Sequence, residues 1–444
     1  MEDLEIDPLS ITASTEGQRR VLGKGESLNT TQSVFVTDDN LESVLRMRWP
    51  ALDHEKAVVE RLTGKQYSLR EYDRLIDETQ TVWSTARPRQ LCFQMAGTSG
   101  STGAAKRNTG AALHSVKTVC VNEFWAFAVR KRKPESPFLL AIADTTGDEI
   151  VWDDTGLEVA NFQVGAAYFD QLFICDDFVL KAVNVLSHAV EVTVPLEPLL
   201  SVHIHSAAPP RLTAVRVSES FVVISVQSHG ALVFARIPDF PCLGFIAANV
   251  SLAVPDHREM LVVALQTGEV EYWHTTETNT LAKLSSEQFF TDDVTTAKKR
   301  KISMKPQPVW NAMISGPRVA VTTREYFVMA DRNPSTCRIA KLDDAGTLDY
   351  FSAFAEFIVT SELAGAVLMH EYASGDVFYR SDEPKRLCEQ RATIGSPHLS
   401  FAFDRVIDLL PNGHILVITT RGREPVRNAP NPATAALQAA LNEK

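Results

Sequence analysis

Five stretches of the chain share one layout of apolar and polar positions: an apolar pair, a few mixed residues, a glycine, then alternating apolar residues. They centre on Gly147, Gly230, Gly268, Gly375 and Gly422, and each opens eight residues before its glycine, at Leu139, Val222, Met260, Val367 and His414. Apolar alternation on both sides of a glycine predicts a strand, a tight turn and a returning strand. Repeated along a chain, that unit predicts an all-β fold of successive meanders. The gaps between the glycines are 83, 38, 107 and 47 residues, so two are double. The first holds an alternating run at 178–185, a turn at 186–188 and the returning Val190-Glu191-Val192. The second holds Val319-Ala320-Val321, a polar turn at 322–325 and Tyr326-Phe327-Val328-Met329. Seven hairpins result, at intervals of about 38 to 57 residues, close to the repeat of about 40–45 that marks propeller blades.

The run 139–153, which ends in Trp152-Asp153, resembles the b–c hairpin of a WD-repeat blade. The other copies depart from that signature. Gly268 is followed by Trp273-His274 and Gly230 by Phe234-Ala235, and the Gly-His pair that opens a WD blade precedes none of the copies at Gly147, Gly230, Gly268 and Gly375. The second, glycine-dense signature of chromosome-condensation-regulator propellers is missing as well. The resemblance implies a seven-bladed WD-like β-propeller over 115–427, with the five glycines as structural blade turns. It transfers no catalytic residue, and it implies a scaffold that binds protein partners in a larger complex rather than a cofactor or small molecule.

The flanks read differently. Residues 1–38 are poor in large apolar side chains and are expected to be a mostly disordered leader, with a short strand at 33–36. Residues 39–86 read as a helical module. Asp38, Asp39 and Asn40 offer caps for a first helix that Pro50 must end, and a second at 54–62 is closed by Gly64. Ser68 and Glu71 have the spacing of a capping box, and the helix they start places Leu69, Tyr72, Leu75 and Ile76 on one face. The short apolar stripe predicts a module packed on the propeller or presented to a partner. Residues 87–114 read as a strand at 89–95 and a Gly/Ser/Thr linker. In the tail, 428–444, Asn431 and Pro432 suit the start of a helix bearing Leu437 and Leu441.

Composition narrows the class. The chain has 444 residues, 45% of them hydrophobic, and a formal net charge of −11. No stretch approaches the ~18 uninterrupted apolar residues of a membrane-spanning helix. The first residues, acidic and then polar, lack the apolar core of a secretory signal. Six cysteines, at 92, 120, 175, 242, 337 and 388, are isolated from one another, which predicts reduced thiols in a nuclear or cytosolic protein. Two basic runs interrupt the acidic background: Arg130-Lys131-Arg132-Lys133, and Lys298, Lys299, Arg300 and Lys301. Both are expected in solvated loops. The second is expected to serve as a nuclear-import peptide or phosphate contact. Four charges supply only a modest salt-dependent term toward nucleic acid, so any such contact is expected to be indirect.

Two apparent chemical signals lack their context. Residues 95–106, rich in Gly, Ser and Thr and ending in Lys106, resemble the phosphate loop of adenylate-forming enzymes. That family's Tyr-Gly-x-Thr-Glu segment is absent, and Thr146-Gly147-Asp148 falls in a hairpin only 44 residues past Gly103. An ATP-dependent enzyme is therefore a remote alternative. His203 and His205 would share one face of a strand, but no third metal ligand lies near, which predicts a sheet-surface pair. No nucleophile elbow, His-Glu-x-x-His or dinucleotide fingerprint occurs. The expectation is a non-enzymatic scaffold or adaptor of a nuclear assembly concerned with RNA processing, ribosome formation or chromatin. The alternative is a ubiquitin-ligase substrate receptor that docks its adaptor through 39–83.

Overall fold

The computed structural model describes residues 11–12, 34–35, 52–85 and 89–93, most of 115–288, and the strands between 311 and 419 together with Gly413 and His414. The chain is mostly β. Strands β1 (Ile11–Thr12) and β2 (Val34–Phe35) pair in parallel. Helices α1 (Leu52–Thr63) and α2 (Leu69–Thr85) follow. The backbone N–H of Gly64 donates to the Glu60 carbonyl at 2.8 Å and ends α1. The capping box forms as its spacing predicts: the backbone N–H of Ser68 donates to Glu71 Oε2 at 2.9 Å, and that of Glu71 to Ser68 Oγ at 3.3 Å. Val58, Val59 and Tyr72 are buried, so these helices use apolar positions for packing.

Thirty strands are present among the described residues, and 28 of them form seven four-stranded sheets. After β3 (Arg89–Phe93), one compact unit holds β4 (Ser115–Val121), β5 (Trp125–Lys131), β6 (Phe138–Asp144) and β7 (Trp152–Val159) as a sheet. A second sheet there contains β8 (Phe162–Tyr168), β9 (Gln171–Asp176), β10 (Val179–Asn184) and β11 (Val190–Pro195), followed by the short helix α3 (Glu197–Ser201). The other unit holds four sheets. They are β12 (Leu212–Val217), β13 (Phe221–Val226), β14 (Gly230–Ala235) and β15 (Cys242–Ile246); then β16 (Val250–Pro255), β17 (Met260–Leu265), β18 (Glu269–Thr275) and β19 (Leu281–Gln288). Next come β20 (Asn311–Ser315), β21 (Arg318–Thr322), β22 (Tyr326–Asp331) and β23 (Arg338–Lys341), and β24 (Gly346–Tyr350), β25 (Phe357–Glu362), β26 (Val367–Glu371) and β27 (Val377–Arg380). The chain returns to the first unit with β28 (Leu399–Ala402), β29 (Arg405–Leu409) and β30 (Ile415–Thr419).

Each four-stranded sheet is an antiparallel meander in chain order, a propeller-like succession, with one exception. The last sheet runs β28-β29-β30-β3, so a strand from before the first sheet supplies its fourth member. The strand expected at 89–95 forms as β3 and belongs to the repeating sheets. The hairpin expected on Gly422 lies outside the described residues, and the two edges of β30 are occupied by β29 and β3.

The hairpins also fall at two different places within the sheets. Those at Gly230, Gly268 and 325 join second to third strands, whereas those at Gly147, 188 and Gly375 join third to fourth. Thus 139–144 lies on a third strand, and Trp152-Asp153 opens the fourth instead of closing the third. The b–c assignment is corrected accordingly. Successive meander turns look alike in sequence because each joins two half-buried strands by a polar or glycine turn.

Neighbouring sheets share buried apolar cores. Val121, Ala126, Ala128, Ala141, Ala143 and Trp152 of the β4–β7 sheet share a core with Ile407, Leu409, Ile415 and Val417. Trp152 Nε1 donates to the Gly413 carbonyl at 3.1 Å, which satisfies the polar edge of an otherwise apolar side chain. Two first strands approach closely: a Cβ on Gly165 of β8 would sit 2.7 Å from Val119 Cγ1 of β4. In the other unit Gly230 has φ +144°, and a Cβ there would collide with the Ile246 carbonyl oxygen. That position is open only to glycine.

Candidate functional site

Of the residues singled out from sequence, Lys298, Lys299, Arg300 and Lys301 lie outside the described residues, as do Gly268, Gly375, Gly422, the 95–106 loop, the helix after Asn40 and the tail 428–444. Gly147 is exposed in a bend between β6 and β7, and Gly230 opens β14. The described chemistry gathers instead at the two ends of the β4–β7 sheet.

At the end where first strands turn into second strands, Asn122 organises the backbone. Its Oδ1 accepts from the N–H groups of Phe124 and Trp125 at 3.0 and 2.8 Å, while its Nδ2 donates to the Phe169 carbonyl of the next sheet at 2.9 Å. Asp170 stands beside it, accepting from Trp125 Nε1 at 2.9 Å. Arg61, in the last turn of α1, donates through Nη2 and Nη1 to the two oxygens of Asp170 at 2.6 and 3.1 Å. The same guanidinium lies 4.1 Å from the centre of the Phe124 ring, which is stacked on Phe169 at 5.9 Å. The turns of two sheets therefore form a seat for the end of α1. With side chains 34% and 30% exposed, this ion pair is screened, and together with the ring contact it contributes about 1 kcal/mol.

Arg405 of β29 fastens the same end from below. It is buried and donates to the carbonyls of Thr145 and Glu123, tying the last sheet to the β4–β7 turns. Burial lowers its pKa to about 10, against the opposing charge of Asp144, so it stays a cation at neutral pH.

At the other end the basic run 130–133 is not a solvated loop, which corrects the sequence expectation. Arg130 and Lys131 close β5, and Arg130 is buried. Arg130 Nε and Arg132 Nε each donate to Asp154 of β7 at 2.7 Å, one to each carboxylate oxygen. Burial works to raise the Asp154 pKa, but the hydrogen bonds and charges of Arg130 and Arg132 outweigh it and hold the carboxyl below its usual range. Lys131 and Lys117 place their ammonium groups 4.7 and 4.9 Å from the centre of the Phe138 ring. Asp154, Lys117 and Phe138 escaped the sequence reading because they join the basic run only through strand pairing.

His203 follows α3 in a turn and His205 lies just beyond it, neither in a strand, and the His203 ring stacks on Phe245 at 4.7 Å; this too departs from the expected sheet-surface pair. Among the described residues no group of three or more His, Cys, Asp or Glu is arranged to hold a metal. Cys120 and Cys175 are buried, which raises both thiol pKa values and keeps them protonated.

No protein-family model and no curated protein matches the chain. Among solved structures it is similar to Hsv2 of Kluyveromyces lactis with loop 6CD replaced by a Gly-Ser linker, at 9% identity and a TM-score of 0.47 over 67% of this chain and 90% of that one. It is similar to the computationally designed Ika8 protein at 10% identity and a TM-score of 0.46, covering 69% of this chain and 98% of that one. The AfRom2 CNH domain aligns at 8% identity and a TM-score of 0.41 over 70% of this chain and 97% of that one. Likenesses at this level assign no role to any residue here, and the architecture stands on the strand pairing itself.

Proposed function

We propose that the chain is a seven-bladed, WD-like β-propeller that acts as a non-enzymatic scaffold or adaptor in a nuclear multiprotein assembly concerned with RNA processing, ribosome formation or chromatin. In this reading each four-stranded sheet is a blade, and β3 joins the two ends of the ring by completing the last sheet. The observation that favours a scaffold is the seat at the turn ends. Asn122 and Asp170 hold the turns in place, and a helix end is bound there by Arg61, so this surface already recognises a helical segment of the protein's own chain. Preorganised turns of this kind bind with little ordering cost.

Affinity purification of the full chain with quantitative mass spectrometry tests the reading. Stoichiometric recovery of subunits of one nuclear assembly is expected, and recovery of the chain alone would overturn it. Replacing Lys298, Lys299, Arg300 and Lys301 by alanine is expected to shift the protein to the cytoplasm; unchanged nuclear accumulation would reject that run as the import signal. A ligase receptor would need 39–83 free to bind an adaptor. The burial of Val58, Val59 and Tyr72 and the capture of Arg61 favour the scaffold reading instead.

A further inference from the structure

The end of the β4–β7 sheet opposite the helix seat carries more positive charge than its neighbours neutralise. Strand alternation divides its side chains between two faces. Arg130 and Arg132 meet Asp154 on one face, and Lys117 and Lys131 meet Phe138 on the other. On the first face the charges are committed, since the Asp154 carboxylate is 4% exposed and receives both arginines.

The second face lacks such a partner. Each of the two ammonium groups lies within 5 Å of one ring centre, so they are at most about 10 Å apart, comparable with the Debye length of about 8 Å at physiological salt. The ring's negative face offsets only part of their repulsion. Lys131 donates to the Pro134 carbonyl at 3.3 Å, and Lys133 is exposed in the adjoining turn. Among the described residues, no carboxylate forms an ion pair with Lys117, Lys131 or Lys133. In a chain of net charge −11 this concentration is not a by-product of basic composition.

We infer that Lys117, Lys131 and Lys133 form a contact surface for the phosphate backbone of a nucleic acid, engaged directly and without base readout. The residue types favour this partner over a phosphorylated peptide. Recognition of a single phosphomonoester draws on the planar fork of arginine, and both arginines here already bind Asp154. What remains is a set of ammonium point charges on flexible stems, suited to successive phosphodiesters and indifferent to sequence. The inference is independent of the scaffold reading, because it concerns one sheet end and does not require a protein partner.

The test uses the full chain, a fluorescently labelled single-stranded RNA of mixed sequence, and anisotropy titrations across a salt series. The Lys117→Gln, Lys131→Gln, Lys133→Gln triple variant is expected to lower the slope of log Kobs against log salt by about 2, at about 0.7 for each phosphate that is no longer neutralised. It is also expected to weaken binding at least tenfold at low salt, equally for a second RNA of unrelated sequence, with an unchanged thermal unfolding profile. Lys133→Glu alone, in the exposed turn, is expected to move binding in the same direction. The inference is overturned if the wild-type chain does not bind RNA, if the triple variant keeps the wild-type slope, or if a phosphoserine peptide binds in a lysine-dependent way while RNA does not.

Discussion

Substituting Asp154 with alanine tests how the buried charges of the β4–β7 sheet are balanced. The Arg130 side chain is 2% exposed and Asp154 is 4% exposed, so the substitution leaves a guanidinium in the interior without its countercharge. Breaking a buried pair from one side costs about 3–5 kcal/mol. Arg132 is 56% exposed, returns to water and adds at most about 1 kcal/mol. Urea unfolding followed by tryptophan fluorescence should therefore show the midpoint falling by about 1 M or more, for an m-value of about 2–3 kcal/mol/M. The Arg130→Met, Asp154→Leu double variant removes both charges and should recover most of the loss. The pH dependence has a definite sign. Because the folded Asp154 pKa lies below the ordinary value, its contribution is complete above about pH 4 and disappears as pH falls through the folded pKa. The difference between wild type and Asp154→Asn should shrink accordingly under acid. A single variant as stable as wild type, or a double variant no better than the single, would refute this account.

Arg61→Ala should release the end of α1 from its seat, costing about 1 kcal/mol and speeding protease cleavage within 52–85. Arg61→Lys should restore little, because an ammonium cannot bridge both oxygens of Asp170. Gly230→Ala should destabilise its unit by more than about 2 kcal/mol in the same urea assay, since φ is +144° and the methyl group meets the Ile246 carbonyl. A chain shortened to begin after Pro88 keeps β3, whereas one that begins after Gln94 loses it. Size-exclusion chromatography should show the second aggregating much more than the first, because β30 would expose an open edge.

Much of the β architecture was legible in the amino-acid order because strand periodicity and turn chemistry are local. Alternation around Gly147, Gly230, Gly268 and Gly375 marked strand pairs that do form, and so did the weaker hairpins at 188 and 325. The capping box at Ser68 and Glu71 was equally plain, for it involves groups three residues apart. Tertiary pairing decided the rest. The edge of β30 pairs with a strand more than 300 residues earlier, and local pattern cannot rank partners by distance along the chain. Nor could it tell a second–third turn from a third–fourth one, because both join the same kind of strand.

The charged clusters show the same division. Four consecutive basic residues read as one solvated loop, yet β5 directs Arg130 inward to Asp154 and Lys131 toward Phe138. Asp170 reveals nothing in sequence and becomes the anchor of α1 only when two sheet turns meet. Sequence by itself determined the elements, their alternating faces and the repeat, because these depend on neighbours a few residues apart. Only the tertiary structure decided which strand closes the last sheet and which charges neutralise one another, because both depend on groups that folding alone brings within a few ångströms.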